Sequence, residues 1–409
     1  MLPPEYLLSC GDDIMSMYEN LNIAITKDIA RRIMKTGEIT KSAVWQAKIV
    51  QESGMLMEDI IREVSSATTF TQAEIESMFI EAGVAAVRYD AMPLIKAGIA
   101  AETGLSPSML NVLRANLIKT KGNLNNLVMT TASAGQQSFL DIMNQAVMMV
   151  ESGAFDYQTV LRRVIEQASR IGAKVNYDNG GSISLEAAAR MNLMTSLNQT
   201  ASKISIMNGE RLGAEYYETS AHVGARPTHQ EWQGKVFKIE GSTAEYDNFY
   251  DATGYGEVDG LCGANCRHSF YPFFPGISEP AYSEEKLKEY ENNTVTYNGV
   301  QYNDYEASQI QRRYERAIRE SKRTVAALKE SVQEAGNKET AAMLKEELAR
   351  VKKTYKARRD RLTEFCNQTG RQKESIRHKT AIVSAKEVKA IKEDFGDKPS
   401  IFSFKSRAG

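Results

Sequence analysis

Residues 219–239 read TSAHVGARPTHQEWQGKVFKI, and residues 259–270 read DGLCGANCRHSF. Three of the four His and two of the four Cys in the 409-residue chain lie in these two segments, with one of its two Trp. Most of the remaining sequence has the periodicity of helices. The concentration of chemically capable residues in one place predicts a site, either structural or catalytic. The five candidate residues are His222, His229, Cys262, Cys266 and His268.

The composition is that of a globular protein long enough for two or three domains. Hydrophobic residues make up 42% of the chain, so large apolar cores can form. Four Cys in a chain of this length do not make a disulfide framework. The first residues lack the basic and apolar regions of a secretory signal, and no apolar run approaches the roughly 20 residues of a membrane span. We therefore expect a protein made in a reducing cytoplasm, with no membrane partner.

The formal net charge of -1 conceals an uneven distribution along the chain. Residues 301–409 contain 26 Lys and Arg against 16 Asp and Glu, whereas residues 1–300 contain 25 against 36. A molecule divided in this way suits an oriented task, with one end facing an anionic partner and the other a basic one.

The N-terminal segment, residues 1–172, is predicted to consist of consecutive helices. Apolar residues from Ile14 to Ile29 follow the spacing of three and four that marks one helical face. Either Asp12 or Asp13 is the predicted cap of this first helix. Ser106-Pro107 indicates another helix start, with Pro at the first helical position.

Residues 173–280 are predicted to form a small, loop-rich α+β central module. A turn signal at residues 178–181 predicts a short hairpin within residues 173–184. Ser184 then caps a helix from Leu185 to about Met207, where Asn208-Gly209 is expected to stop it. Residues 214–220 and 235–239 favour strands, and the residues from 241 to 276 favour loops.

The C-terminal segment, residues 281–409, is predicted to form a basic antiparallel helical hairpin and a flexible tail. Steps of three and four run from Ile310 to Val332, stop at Gly336-Asn337 and resume at Leu344, which is typical of two heptad-like helices. One continuous long helix is the alternative. The tail after about residue 370 is basic, and its last residues are expected to be flexible. The predicted fold class of the whole chain is α+β, predominantly α-helical.

Three interpretations of the His/Cys cluster stay open. The first is a structural zinc site, since thiolate and imidazole are preferred zinc ligands, although the C-x3-C-x-H spacing is not a standard one. The second is a catalytic site with His229 or His268 as general base and Arg226 or Arg267 stabilising an anion. The third is architectural, with His side chains satisfying loop carbonyls and reduced Cys filling apolar space.

The segments AHVGARPTHQEWQGKVF (221–237) and GLCGANCRHSFYPFFPG (260–276) resemble the phage minor capsid protein 2 family. That family is similar to the Mu F-type head morphogenesis proteins, which share a His-x4-Gly element and an Asn-Cys-Arg-Cys or Asn-Cys-Arg-His element. Here the first element is His229 with Gly234, and the second is 265–268. The resemblance extends over nearly the whole chain. The motif residues outside the His and Cys are Arg226, Trp232, Gly234, Asn265 and Arg267.

The resemblance implies a minor component of the phage head, present in few copies at or near the portal vertex, with no established enzymatic activity or cofactor. Its implied partners are the portal protein and the major capsid or scaffold proteins. Contact with packaged double-stranded DNA is a further hypothesis, which rests on the basic balance of residues 301–409. The implied location is the virion, and the host cytoplasm during assembly. On this interpretation, residues 1–172 interact with the portal. The competing hypothesis is a metal-dependent nuclease or other hydrolase built on the central cluster, with Asp247, Asp251 and Asp259 nearby in loops.

The outer face of the C-terminal hairpin is the predicted DNA contact. Residues 352–361 contain six basic residues and one acid, so a solvated face balanced by i,i+4 ion pairs does not explain them. Lys and Arg that neutralise phosphates give salt-sensitive, sequence-independent binding. The candidate contacts are Lys352, Lys353, Lys356, Arg358 and Arg359.

Overall fold

Long helices make up the first part of the chain in the computed structural model, which describes residues 2–70, 72–176, 181–373 and 385–396. The helices are α1 (Pro4–Thr36), α2 (Ala43–Phe70), α3 (Gln72–Lys96), α4 (Pro107–Glu151) and α5 (Tyr157–Ile171). Helix α4 begins as predicted, with the Ser106 hydroxyl accepting from the Met109 N–H and Pro107 at the first position.

The predicted cap of the first helix is wrong. Helix α1 begins at Pro4, where Pro suits the first helical turn. Asp12 lies inside the helix and is buried, with its carboxylate 3.9 Å from the guanidinium of Arg190. A tertiary ion pair explains this carboxylate better than a local cap does.

A short antiparallel hairpin and one long buried helix connect the N-terminal helices to the central module. Strand β1 (Lys174–Asn176) pairs with β2 (Ser182–Ser184), as the turn signal predicts. Helix α6 (Leu185–Leu212) follows and ends at Gly213 in a left-handed conformation. It therefore continues past Asn208-Gly209, contrary to the sequence prediction, because the Asn208 amide donates to the carbonyl of Val87 and to the carboxylate of Asp90 on α3.

The central module contains a three-stranded antiparallel sheet in the order β4-β3-β5. Strands β3 (Tyr216–Thr219) and β4 (Val236–Lys238) fall in the two predicted β-prone segments, whereas β5 (Phe270–Phe273) was not predicted. Two short helices, α7 (Pro227–Gln230) and α8 (Phe249–Thr253), lie between these strands in the chain. The rest of residues 241–276 is irregular, as expected.

The C-terminal part contains the predicted helical hairpin. Helix α9 (Glu284–Asn292) and strands β6 (Thr294–Tyr297) and β7 (Val300–Asn303) precede it. Helices α10 (Asp304–Gln333) and α11 (Lys338–Thr369) run antiparallel: Arg358 of α11 donates to the Ala317 carbonyl, and Arg371 beyond α11 donates to Gln311 near the start of α10. Helix α12 (Ala385–Gly396) lies in the predicted tail, whose last residues fall outside the described ones.

The β6–β7 hairpin was missed by the sequence analysis. Its turn is Asn298-Gly299, both with positive φ, which is the strongest short-range hairpin signal available. The alternation of polar and apolar residues in TVTYNGVQYN (294–303) would have predicted this hairpin.

Apolar side chains of the described residues form three cores. The largest draws on α1 to α6, on α12 and on both hairpin helices, including Ala327 and Leu344. The second lies under the central sheet and contains Tyr217 and Phe270. The third joins the β6–β7 hairpin, through Tyr297, to the start of α10 and the last turns of α11. The predicted fold class is confirmed. The largest core crosses the segment boundaries near 172 and 280, so these boundaries stay a prediction.

Substitution at Gly209 tests the close packing of α6 on β3. A Cβ at Gly209 would lie 2.0 Å from the hydroxyl of Tyr217, whereas a Cβ at Gly122 of α4 meets nothing within 4 Å. We expect Gly209→Ala to lower the free energy of unfolding by about 1–3 kcal/mol. The control Gly122→Ala should raise it by about 0.5–1 kcal/mol, since Ala is the better helix former. Urea unfolding measures both; equal stabilisation by the two substitutions would contradict this packing.

Candidate functional site

The register of β3 and β5 brings the two halves of the His/Cys stretch together. Thr219 pairs with Phe270, and the Ser220 N–H donates to the Ser269 carbonyl at 2.7 Å. The chain leaving β3 and the chain entering β5 therefore run side by side. As a consequence, the imidazole of His222 stacks on that of His268, with ring centres 4.3 Å apart.

Three side chains of the cluster converge on one point. Helix α7 carries His229, whose Nδ1 lies 3.4 Å from Nδ1 of His268. The thiol Sγ of Cys266 lies 3.8 Å from Nδ1 of His229 and 3.6 Å from Nδ1 of His268. All three residues are buried. We call His229, Cys266 and His268 the convergent triad.

Hydrogen bonds on the far sides of the two rings set their tautomers. Nε2 of His229 lies 2.8 Å from the Asp259 carbonyl, which can only accept, so Nε2 carries the proton. Nε2 of His268 lies 3.1 Å from Oε1 of Gln233. That oxygen also accepts from the backbone N–H of His222 at 3.1 Å, so it too requires a proton on the ring. A neutral imidazole has one N–H, and each Nδ1 therefore presents a lone pair to Cys266.

The other two candidates lie outside the triad. Sγ of Cys262 lies 3.0 Å from the Ser202 hydroxyl on α6. Nδ1 of His222 lies 3.0 Å from the Val223 carbonyl and 3.2 Å from Nη2 of Arg267. Among the described residues, the ligand atoms of His229, Cys266 and His268 lie close enough together to hold one metal ion. His222 and Cys262 do not belong to that group.

The motif residues surround the cluster. The Trp232 ring lies 4.7 Å from the His229 ring, centre to centre, and closes one side of the triad. Arg226 donates to the Ala264 carbonyl at 2.6 Å and so joins the α7 segment to the loop before β5. Asn265 and Gly234 both have positive φ, and a Cβ at Gly234 would also meet Leu287 at 2.6 Å, so only Gly fits that turn without strain.

Helix α6 supplies polar partners that the sequence analysis did not single out. Nδ2 of Asn198 donates to the carbonyls of Cys266 and His268, at 3.2 and 2.8 Å. Gln199 donates to the Cys262 carbonyl at 3.4 Å. Asn is disfavoured inside helices because its side chain competes for backbone groups. An Asn at position 198, inside a segment predicted to be helical, is therefore the sequence signal that could have indicated this role. The structure shows that this Asn is fully buried.

Burial controls the ionisation of the cluster. It lowers the pKa of His222 to about 3, with the nearby Arg267 guanidinium adding to the effect, and it lowers the pKa of His229 and His268 as well. Burial raises the pKa of the Cys266 thiol. The three imidazoles are consequently neutral at pH 7.

A cavity of about 390 Å³ adjoins the cluster, between α1, α6, α10 and the loop before β5. The convergent triad lines part of its wall. Seven arginines contribute to the lining: Arg190, Arg226, Arg267, Arg312, Arg316, Arg319 and Arg371. The Arg267 pKa is lowered to about 10, by burial and then by Arg312 and Arg190. The acids Asp12 and Glu315 also line the cavity, so the arginines leave an excess of positive charge. Such an excess in a partly enclosed space favours an anion.

The loop acids considered for a hydrolase do not join this site. Asp247, Asp251 and Asp259 are exposed, and none of the three lines the cavity. The hydrolase hypothesis, as built on these three loop acids, stays a prediction.

The candidate DNA-contact residues differ among themselves. Lys352, Lys353, Lys356 and Arg359 are exposed on α11. Arg358 instead donates to the Ala317 carbonyl and the Ser321 hydroxyl of α10, both at 2.7 Å, and thereby joins the two helices of the hairpin.

Comparison with known proteins agrees with the sequence motifs. The chain matches the family model described as phage minor capsid protein 2 over residues 2–367. It is 23% identical to a structural protein of Lactococcus phage LL-H over 312 residues, which are 73% of this chain and 80% of that protein. A second structural protein, from Lactococcus phage mv4, is 35% identical over 78 residues, 19% of this chain and 54% of that protein. No solved structure gives a significant match.

A family match over this length defines the class: the chain is a structural protein of phages. It belongs to the phage minor capsid protein 2 family, which confirms the resemblance seen in the motifs. None of the described helices has the length and apolar character required to cross a membrane.

The lowered pKa of His222 predicts acid sensitivity. Between pH 6.5 and 3 the unfolded chain binds a proton at this residue that the folded chain does not, so stability falls as the pH falls. From pH 7 to 5 we expect His222 to contribute a loss of about 2 kcal/mol. In His222→Gln this part of the loss should disappear. The contribution of His268 should also become smaller, because His222 is one of the groups that lower the His268 pKa. Urea unfolding at the two pH values measures the difference; identical pH dependence would contradict it.

Proposed function

We propose that this protein is a non-enzymatic minor component of the phage head that docks on the portal vertex and contacts packaged double-stranded DNA. The observation that carries the proposal is the family match over residues 2–367. The names of the two relatives, both structural proteins of Lactococcus phages, agree with it. In this proposal the protein is assembled in the host cytoplasm, remains in the virion and also meets major capsid or scaffold proteins.

The N-terminal segment carries most of the exposed large apolar side chains of the described residues. Fourteen large hydrophobic side chains of the described residues are exposed, and ten of them lie between residues 44 and 148. Val44 is 82% exposed, Ile118 65% and Met148 70%. Exposed apolar residues that form a contiguous patch are typical of a protein interface. This distribution supports the assignment of portal docking to residues 1–172.

Binding to assembled portal rings tests the docking proposal. We expect saturable binding of the full chain, measured by the mass of the complexes formed. The double variant Val44→Asp/Ile118→Asp should weaken it by about tenfold or more, because charges at an apolar interface must be desolvated. Both positions are exposed in the chain alone, so its stability should hardly change.

Val258→Asp is the matched control, since Val258 is 76% exposed but lies in the central module. It should bind portal rings as the wild type does. The absence of wild-type binding at any ratio would refute docking, and equal loss in both variants would refute the assignment to the N-terminal helices.

The DNA contact is assigned to α11 because three of its exposed lysines have no ion-pair partner among the described residues. On α10, Lys322 pairs with Glu19 at 2.9 Å and Arg323 with Glu186 at 3.5 Å, so part of the basic hairpin is neutralised by the acidic N-terminal half. In contrast, Lys352, Lys353 and Lys356 form no ion pair with another described residue. Three solvent-exposed lysines within two helical turns suit a phosphate backbone.

Salt-dependent DNA binding tests this contact. We expect the full chain to bind duplex DNA without sequence preference, with an affinity that falls as salt rises. Replacing Lys352, Lys353 and Lys356 by Gln should lower the slope of log K against log salt by about 3. Fluorescence anisotropy with a labelled duplex measures the slope.

The matched control replaces Lys41, Lys286 and Lys288 by Gln. These lysines are also exposed, and each pairs with a Glu elsewhere than on α11. The control removes the same net charge and should leave the slope nearly unchanged. An equal effect of both triple variants would indicate a general charge effect, and no binding even at low salt would remove DNA from the proposal.

A further inference from the structure

We propose that the convergent triad is a zinc site, in which Nδ1 of His229, Sγ of Cys266 and Nδ1 of His268 bind one Zn²⁺ ion. None of these residues is needed for the portal or DNA contacts proposed above. The inference therefore stands independently of them.

The distances between the three atoms are those of a tetrahedral zinc site. Zinc binds imidazole nitrogen at about 2.0–2.1 Å and thiolate sulfur at about 2.3 Å. At tetrahedral angles these bond lengths separate two nitrogens by about 3.3 Å and a nitrogen from a sulfur by about 3.6 Å. The observed separations are 3.4 Å between the nitrogens, and 3.6 and 3.8 Å from nitrogen to sulfur.

The proton inventory of the triad also calls for a cation. Both Nδ1 atoms present lone pairs, since the Asp259 carbonyl and the Gln233 amide oxygen each hold a proton on Nε2. One thiol proton of Cys266 serves at most one of the two nitrogens. The lone pair of the other Nδ1 then remains without a donor in a buried site, and such an unsatisfied acceptor lowers the stability of the fold. A bound cation satisfies all three atoms at once.

The surroundings have the features of a metal site. Each ligand imidazole donates its other N–H to an oxygen, the usual arrangement that orients a metal-binding His. A mixed nitrogen and sulfur ligand set selects zinc over magnesium or calcium, which prefer oxygen. With three protein ligands, zinc keeps a fourth position for water or another ligand. The arginine-lined cavity that the triad borders is the side from which that ligand would come.

Metal analysis of the full-length chain tests the proposal. The protein is exposed to Zn²⁺, desalted and analysed by elemental mass spectrometry, with about one zinc per chain expected. Cys266→Ala should lose most of this zinc. The matched control Cys262→Ala should retain it, because Cys262 is equally buried but bonds to Ser202 outside the triad. If buried Cys only fill apolar space, the two variants should behave alike.

Substitution of Co²⁺ for zinc gives a readout that needs no variant to fold. We expect tetrahedral d–d absorption bands together with a thiolate-to-cobalt charge-transfer band in the wild-type chain. A folded wild-type chain that retains neither metal overturns the proposal. So does bound cobalt without the charge-transfer band, since the metal would then lie away from Cys266. Loss of metal in Cys262→Ala with retention in Cys266→Ala overturns it as well.

Discussion

The hydrogen bonds from Asn198 to the carbonyls of Cys266 and His268 are the constraint on which the central module depends. Residues 262–268 approach β5 without a strand partner, so their buried carbonyls need donors from elsewhere. Helix α6 provides them, and it is also the helix that α1, α3 and α4 pack around. One buried element therefore connects the large helical core to the loop that carries Cys266 and His268. Loss of an internal donor in such a place costs more than a surface hydrogen bond contributes.

Some of the unevenly distributed charges form ion pairs within the protein, and others remain exposed for an outside partner. Glu19 and Glu186 meet Lys322 and Arg323 of α10 in ion pairs, and the Arg323–Glu186 pair is the more buried of the two. Lys27 pairs in the opposite sense with Glu330 of α10. Removal of one partner from a buried ion pair is strongly destabilising, because the other charge is then left buried without a partner. The exposed lysines of α11 are what remains for an outside partner. A count of charges along the chain cannot separate the charges that form internal ion pairs from those that stay exposed, because it does not show which helix face is buried.

Local signals predicted much of the fold and marked candidate residues for the site. The two-helix hairpin follows from the apolar spacing on both sides of Gly336-Asn337, and the β1–β2 hairpin follows from its turn. The β6–β7 hairpin had an equally clear signal in Asn298-Gly299 and could have been predicted. The end of α6 could not, since contacts with α3 and β3 override the local tendency of Asn208-Gly209 to end a helix. For the site, the scarcity of His and Cys was sufficient to mark five candidate residues, but it did not show which of them lie together.

By itself, the sequence indicated most of the long helices, the β1–β2 hairpin and the turn between α10 and α11, that the fold is mainly helical and which family the motifs resemble. These properties depend on neighbours within a few residues or on recognisable residue order. Only the tertiary structure decided that His229, Cys266 and His268 converge while His222 and Cys262 point to other partners. The physical reason is that these residues are separated by up to about forty positions. Their distances are set by the β3–β5 register and by the support of α6, neither of which any single stretch of sequence encodes.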